Sequence, residues 1–159
     1  MAIDIFLKLD GIDGESQDDK HKDEIELMSF TFGSSNFVGR ATGGGGGSGK
    51  ATFQDFHFVM NTNKASPQIF LSCVSGKHID SAVLSVRKAG GDQQDYLHYK
   101  FNDVLISSFQ TGGINTGGAT DQFSLNFAKL ETDFTPQDST GQLLEPVSTS
   151  WDLLQNKIA

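Results

Sequence analysis

The feature that most constrains this chain is the recurrence of apolar side chains at every second position. Ile3, Ile5, Leu7 and Leu9 alternate with Asp4, Phe6, Lys8 and Asp10 before Gly11 closes the run. Ala82, Leu84 and Val86 repeat the pattern, as do Leu97, Tyr99 and Phe101 and then Phe123, Leu125 and Phe127. A period of two puts such residues on one face of a strand, so the sequence predicts half-buried strands. Gly90-Gly91 turns the second run into the third as a hairpin, and TGGINTGG at 111–118 reads as a glycine-bracketed loop. Pro136 ends the Phe123 strand. In the tail, residues 137–159, Val147, Thr149, Trp151 and Leu153 alternate again and predict a docked edge strand.

Two stretches break phase. In one long strand before Gly33, Ile25 and Leu27 are apolar on one side but Phe30 and Phe32 on the other, which predicts a bulge or a change of packing partner near Met28. In GGGGGSGKATFQDFHFVM, residues 43–60, Ala51 and Phe53 share a face, and Phe56, Phe58 and Met60 share one after a break at Gln54/Asp55, which predicts a bulge. Between them, residues 33–49 are poor in apolar side chains and read as an extended glycine-rich loop. One helix is signalled, with Ser66 as cap, Pro67 at the first position, an apolar stripe of Ile69, Phe70 and Cys73, and Gly76 beyond the end. With 36% hydrophobic composition and thirteen phenylalanines, the expected fold is mainly β. It is a compact β-barrel or two-sheet sandwich, one domain over 1–159, with one short α-helix packed on its side.

Chemical motifs fail one by one. Gly44-x-x-x-x-Gly49-Lys50 fits a phosphate-binding loop, but Ala51 stands where a hydroxyl must hold Mg²⁺, and a strand follows where a helix is needed. Asp18, Asp19, His21 and Asp23 are close in sequence, yet Ile12 and Gly14 occupy ligand positions of a calcium loop counted from Asp10, so residues 13–26 read as a solvated charged loop. Cys73 lies on the helix stripe as a small hydrophobe rather than as a nucleophile served by His78. His21, His57 and His98 fall on separate elements with no partner spacing, and Ser48 lacks the second glycine of a nucleophile elbow. No catalytic, cofactor-binding or metal residue is assigned, and no enzyme is expected. A net charge of −8 argues against a nucleic-acid backbone or an anionic membrane surface as partner. No apolar run approaches the ~18 residues of a membrane helix, the acidic N-terminal stretch does not resemble an export signal, and the lone Cys73 suits a reducing cytoplasm.

Several stretches in order resemble the haemolysin-coregulated protein (Hcp) family, tube subunits of bacterial type VI secretion systems. They are Asp4-Ile-Phe-Leu-Lys-Leu-Asp-Gly11, Gly14-Glu15-Ser16, His21-Lys22, Ser29-Phe-Thr-Phe-Gly33, the glycine run at 43–50, and Phe53-Gln-Asp-Phe56. Ala65-Ser-Pro67, Ser75-Gly-Lys-His78, Val86-Arg-Lys-Ala-Gly-Gly91, Asp103-Val-Leu-Ile-Ser-Ser108, Thr111-Gly-Gly113 and Ser124-Leu-Asn-Phe-Ala-Lys129 continue the match.

The resemblance implies a barrel protomer in a hexameric ring, rings stacked as a tube inside a contractile sheath below a spike, and small effector proteins carried in the lumen. It implies assembly in the cytoplasm, then secretion without a cleaved signal peptide, and no toxin domain after Ala159. Gly43, Gly44, Gly45, Gly46, Gly47 and Ser48 are then the expected ring-stacking loop, although as residues alone they favour a flexible linker. Ser29 and Thr31, opposite Phe30 and Phe32, are the expected lumen- and effector-facing residues. The competing reading is a monomeric β-sandwich binding module, for example for sugar.

Overall fold

The computed structural model describes residues 2–36 and 51–159. Its strands are β1 (Ile3–Leu9), β2 (Ile25–Leu27), β3 (Ser29–Thr31), β4 (Ser34–Asn36), β5 (Ala51–Phe53), β6 (Phe56–Asn61), β7 (His78–Lys88), β8 (Asp95–Ile114), β9 (Gly118–Phe134), β10 (Val147–Asp152) and β11 (Lys157–Ile158). Helix α1 spans Ser66–Ser75.

Antiparallel pairing runs from β3 through β6, β9, β8, β7 and β1 to β2. Only Met28 separates β2 from β3, so the path returns to its start and the sheet curls into a barrel. Met28 N–H donates to the Val59 carbonyl at 2.7 Å and ties the seam to β6. The expected change of packing partner at Met28 is therefore real: β2 pairs with β1 and β3 with β6. Along one edge β9 pairs first with β6 and then, from Lys129 to Phe134, with β10, which carries β11.

The alternating runs meet inside this barrel. Ile5, Leu7 and Leu9 lie opposite Val86, Leu84 and Ala82, and Leu84 lies opposite Tyr99. Phe30, Phe58, Phe123 and Phe109 form one continuous row across β3, β6, β9 and β8. Phe56 is fully buried at the centre of the aromatic packing. Its ring stacks on Phe32 at 4.2 Å and meets Phe101 edge-on at 4.7 Å.

Several expectations need correction. The break at Gln54/Asp55 is a change of sheet, not a bulge, because β5 pairs with β4 while β6 joins the barrel. Residues 34–36 at the start of the expected long loop are strand. The glycine-bracketed segment 111–118 is largely ladder, since β8 and β9 stay paired out to Ile114 opposite Gly118. In α1 the buried positions are Ser66, Ile69 and Ser72, and Phe70 is exposed because it lies one step round from that stripe. Gly76 does end the helix in the left-handed conformation, φ 65°, with its N–H on the Cys73 carbonyl.

Ser66 does not cap the helix. Its hydroxyl accepts from Asn63 N–H and donates to Asp121 of β9. Thr62 Oγ1 also donates to Asp121 at 2.9 Å. The Asp121 carboxylate is fully buried beside the start of α1, where the helix N-terminus favours negative charge. Asp121→Ala should cost about 1.5–3 kcal/mol, because it strips two hydroxyls of a charged acceptor. Urea unfolding checks this; a loss under about 0.5 kcal/mol would show that the contacts contribute little.

Candidate functional site

The outer side of β3, β6, β9 and β8 is assembled by register. Phe30 packs against the core, so Ser29 and Thr31 point outward and are exposed, as the alternation requires. Thr31 lies opposite His57, His57 opposite Ser124, and Ser124 opposite Ser108. The neighbouring row runs Ser29, Val59, Gln122 and Gln110, and the next Asn61, Thr120 and Gly112. None of these side chains is Asp, Glu, Lys or Arg, although the chain carries a net charge of −8.

A bulge between Ile106 and Ser108 sets two serines against one. Ser107 and Ser108 both reach the Ser124 hydroxyl, and Ser107 donates to Asp55 Oδ2 at 2.6 Å. Asn126 donates to the other oxygen of that carboxylate at 3.1 Å. This satisfies the one acidic group at the edge of the face and leaves a surface of hydroxyls, amides and an imidazole. Such a surface can offer hydrogen bonds to a protein without selecting by charge.

Sequence reasoning placed Ser29 and Thr31 on the outward side but did not name His57, Gln110 and Gln122, which lie beside them only through strand register. The alternation of β6 and β9 held the signal: His57, Val59, Gln122 and Ser124 are the positions between buried residues. Gly43, Gly44, Gly45, Gly46, Gly47 and Ser48 lie outside the described residues.

The charged segment between β1 and β2 is not simply solvated. It folds back on itself, with Gly14 N–H on the Asp23 carbonyl and Ser16 N–H on the Glu24 carbonyl. A Cβ on Gly14 would sit 2.7 Å from the Ile25 Cα, so the two backbones approach too closely for any other residue. The segment covers the outer face of β1 and β7, burying Phe6, Ser85 and Arg87, which alternation alone assigns to a solvated side. Arg87 is 4% exposed. It donates to Asp18 through Nη1 at 2.9 Å and Nη2 at 2.5 Å, and through Nε to Asp4 at 3.2 Å. The hydrogen bond from Arg87 holds the Asp18 carboxyl below its ordinary range against the opposing effect of burial, and the same bond raises the guanidinium.

The histidines also differ from their sequence reading. His57 stands on the polar face, but His21 and His98 converge on one carboxylate, Asp95, at 3.0 and 3.3 Å. His78 pairs with Asp103 at 2.7 Å on an exposed edge. No helix among the described residues is long and apolar enough to cross a membrane.

Residues 6–134 match the family described as type VI secretion system effector, Hcp. Protein hcp1 of Pseudomonas aeruginosa is 40% identical over 161 residues, covering 98% of each chain. The solved structure of a type six secretion system protein superposes with a TM-score of 0.93 at 29% identity, covering 99% of this chain and all of that one. Hcp1 of Salmonella typhimurium superposes with a TM-score of 0.81 at 34% identity over the full length of both chains. These likenesses lend the sugar-binding alternative no support.

Proposed function

The chain belongs to the Hcp family of the type VI secretion system, and from that premise we propose that it is the tube subunit, closed as a six-membered ring whose lumen is lined by the outer face of β3, β6, β9 and β8. The observation that carries the reading is the uncharged polar surface spread over four strands of an otherwise acidic protein. A lumen that carries different small effectors is served by hydroxyls and amides, which hydrogen-bond without repelling cargo of either sign. The role is structural rather than catalytic, with the spike, the sheath and small effectors as partners. Gly43 to Ser48 are proposed as the ring-stacking loop, and assembly in the cytoplasm is followed by export through the same machine. The single domain over 1–159 is part of the same proposal.

Light scattering on the purified protein should give several times the 17.2 kDa of one chain. Thr31→Gln should leave that mass unchanged while lowering co-purification of a co-expressed effector of the same system by about tenfold, equivalent to about 1.4 kcal/mol. Lys8→Gln, on a different exposed strand face, serves as the control. A monomeric mass would sink the ring, and equal effector recovery from Thr31→Gln and Lys8→Gln would remove this face from the lumen.

A further inference from the structure

The polar cluster over β7, β8 and β9 holds more hydrogen-bond contacts than its neutral side chains have protons to fill. His21, 5% exposed on the covering segment, faces Glu24 with Nδ1 and Asp95 with Nε2. His98 faces Asp133 with Nδ1 at 3.0 Å and the second oxygen of Asp95 with Nε2 at 3.3 Å. Four nitrogen–oxygen contacts therefore join two imidazoles to three carboxylates. A neutral imidazole carries one N–H and an ionised carboxylate none, so neutral rings fill two of the four. The other two would set a nitrogen lone pair against a carboxylate oxygen at hydrogen-bond distance.

The surrounding charges point the same way. Asp18, which also accepts from His21 N–H, and Asp4 are held by Arg87. Arg87 pairs with Asp4 and Asp18, and among the described residues the ion pairs of Glu24, Asp95 and Asp133 are with the two histidines alone. Phe6, stacked on His21 at 4.3 Å and in contact with Arg87, completes the floor. On the adjoining strands Glu26 lies opposite Phe6, and Lys100 opposite Glu131 in the next row. Asp19, Lys20, Lys22 and Asp23 of the covering segment are exposed.

We propose that this cluster is a proton-dependent clasp: His21 and His98, each with both ring nitrogens protonated, fasten the segment between β1 and β2 to the β8–β9 hairpin, and loss of those protons releases it. A clasp that binds protons the unfolded chain does not hold contributes stability where those protons are bound and loses it as rising pH removes them. Loss of those protons loosens the segment from β8, while the Arg87–Asp18 pair still holds it to β7.

The wild-type protein, labelled with ¹⁵N on histidine, tests the proton count directly. At about pH 7.5, above the unperturbed histidine range, two imidazoles should still show both ring nitrogens protonated and lose that signature in His21→Gln and His98→Gln respectively. Thermal melting should then fall by roughly 5 °C more between about pH 6 and pH 8.5 in wild type than in the double variant, at fixed protein concentration. Amides of Ser16, His21, Asp23 and Glu24 should lose protection from exchange over the same interval, after correction for intrinsic rates. An unprotonated ring nitrogen on His21 or His98 at about pH 7.5 would overturn the proposal. So would equal pH slopes of melting in wild type and double variant.

Discussion

Arg87→Ala should destabilise the protein by about 2–4 kcal/mol, because Arg87 is buried while its partners Asp18 and Asp4 are partly exposed and solvent screens their share. Arg87 is nearly inaccessible, and its guanidinium is the fork that fits both Asp18 oxygens while its Nε reaches Asp4. Truncation leaves two carboxylates without their shared cation and removes the guanidinium that lies over the Phe6 ring. Arg87→Lys should recover part of the loss, because an ammonium keeps the charge but cannot make the paired contact. The pH profile separates electrostatics from packing. Because Arg87 holds the Asp18 carboxyl below its ordinary range, this pair stabilises the fold above about pH 4 and loses that contribution as pH falls through the lowered value. Arg87→Ala should therefore show a shallower loss of stability on acidification than wild type. Urea unfolding at a series of pH values measures both; a cost below about 1 kcal/mol, or an unchanged acid limb, would contradict the assignment.

The acid limb and the proposed clasp act on the same segment in opposite directions of pH. Asp18 anchors it to β7 through Arg87, and His21 anchors it to β8 through Asp95. Arg87 variants should flatten the acid side of the stability profile and leave the effect of the histidine variants in place.

What the sequence made legible was local, and what it hid depended on register. The strands with one buried face were visible because side-chain direction alternates within a few residues: β1, β7 and the core stretches of β8 and β9 follow from Ile5, Leu84, Phe101 and Phe123. The switch at Met28 was visible for the same reason, since the apolar set changes parity there. By contrast β4 and the tip of the β8–β9 hairpin carry no alternation, because both faces of Ser34–Asn36 and of residues 111–119 are exposed. Phe6 defeats alternation differently: it points away from the barrel interior and is buried by a segment whose composition signals solvent. The meeting of His21 with Asp95 spans 74 residues, a separation no spacing rule reaches. On the polar face, Ser29 and Thr31 were legible as outward positions, but their neighbours His57, Gln110 and Gln122 were fixed only when the ladders were.

Phe56→Ala should cost about 3–5 kcal/mol, a large part of the 5–15 kcal/mol that keeps a typical domain folded. Phe56 is fully buried at the first position of β6, opposite Leu125. Its ring lies 4.2 Å from Phe32, 4.7 Å from Phe101, 5.1 Å from Tyr99 and 5.9 Å from Phe127, so four aromatic rings from three other parts of the barrel lose a common neighbour at once. Rings packed on several strands cannot all relax into the vacated volume, and a cavity term adds to the lost transfer energy. Phe56→Leu, which keeps most of the volume, should lose less than half as much. The effect also has a direction. Phe32 follows β3 and leads into β4, and Gln54 N–H on the Gly33 carbonyl holds the β4–β5 pair beside it. Loosening the Phe32 stack should therefore raise amide exchange in Ser34–Asn36 and Ala51–Phe53 before it reaches β7, whose partner β1 carries none of these rings. Denaturant unfolding with exchange mapping reads both. Equal losses for Phe56→Ala and Phe56→Leu would mean that aromatic shape rather than filled volume holds this corner, and uniform exchange across β4, β5 and β7 would deny Phe56 its place between barrel and hairpin.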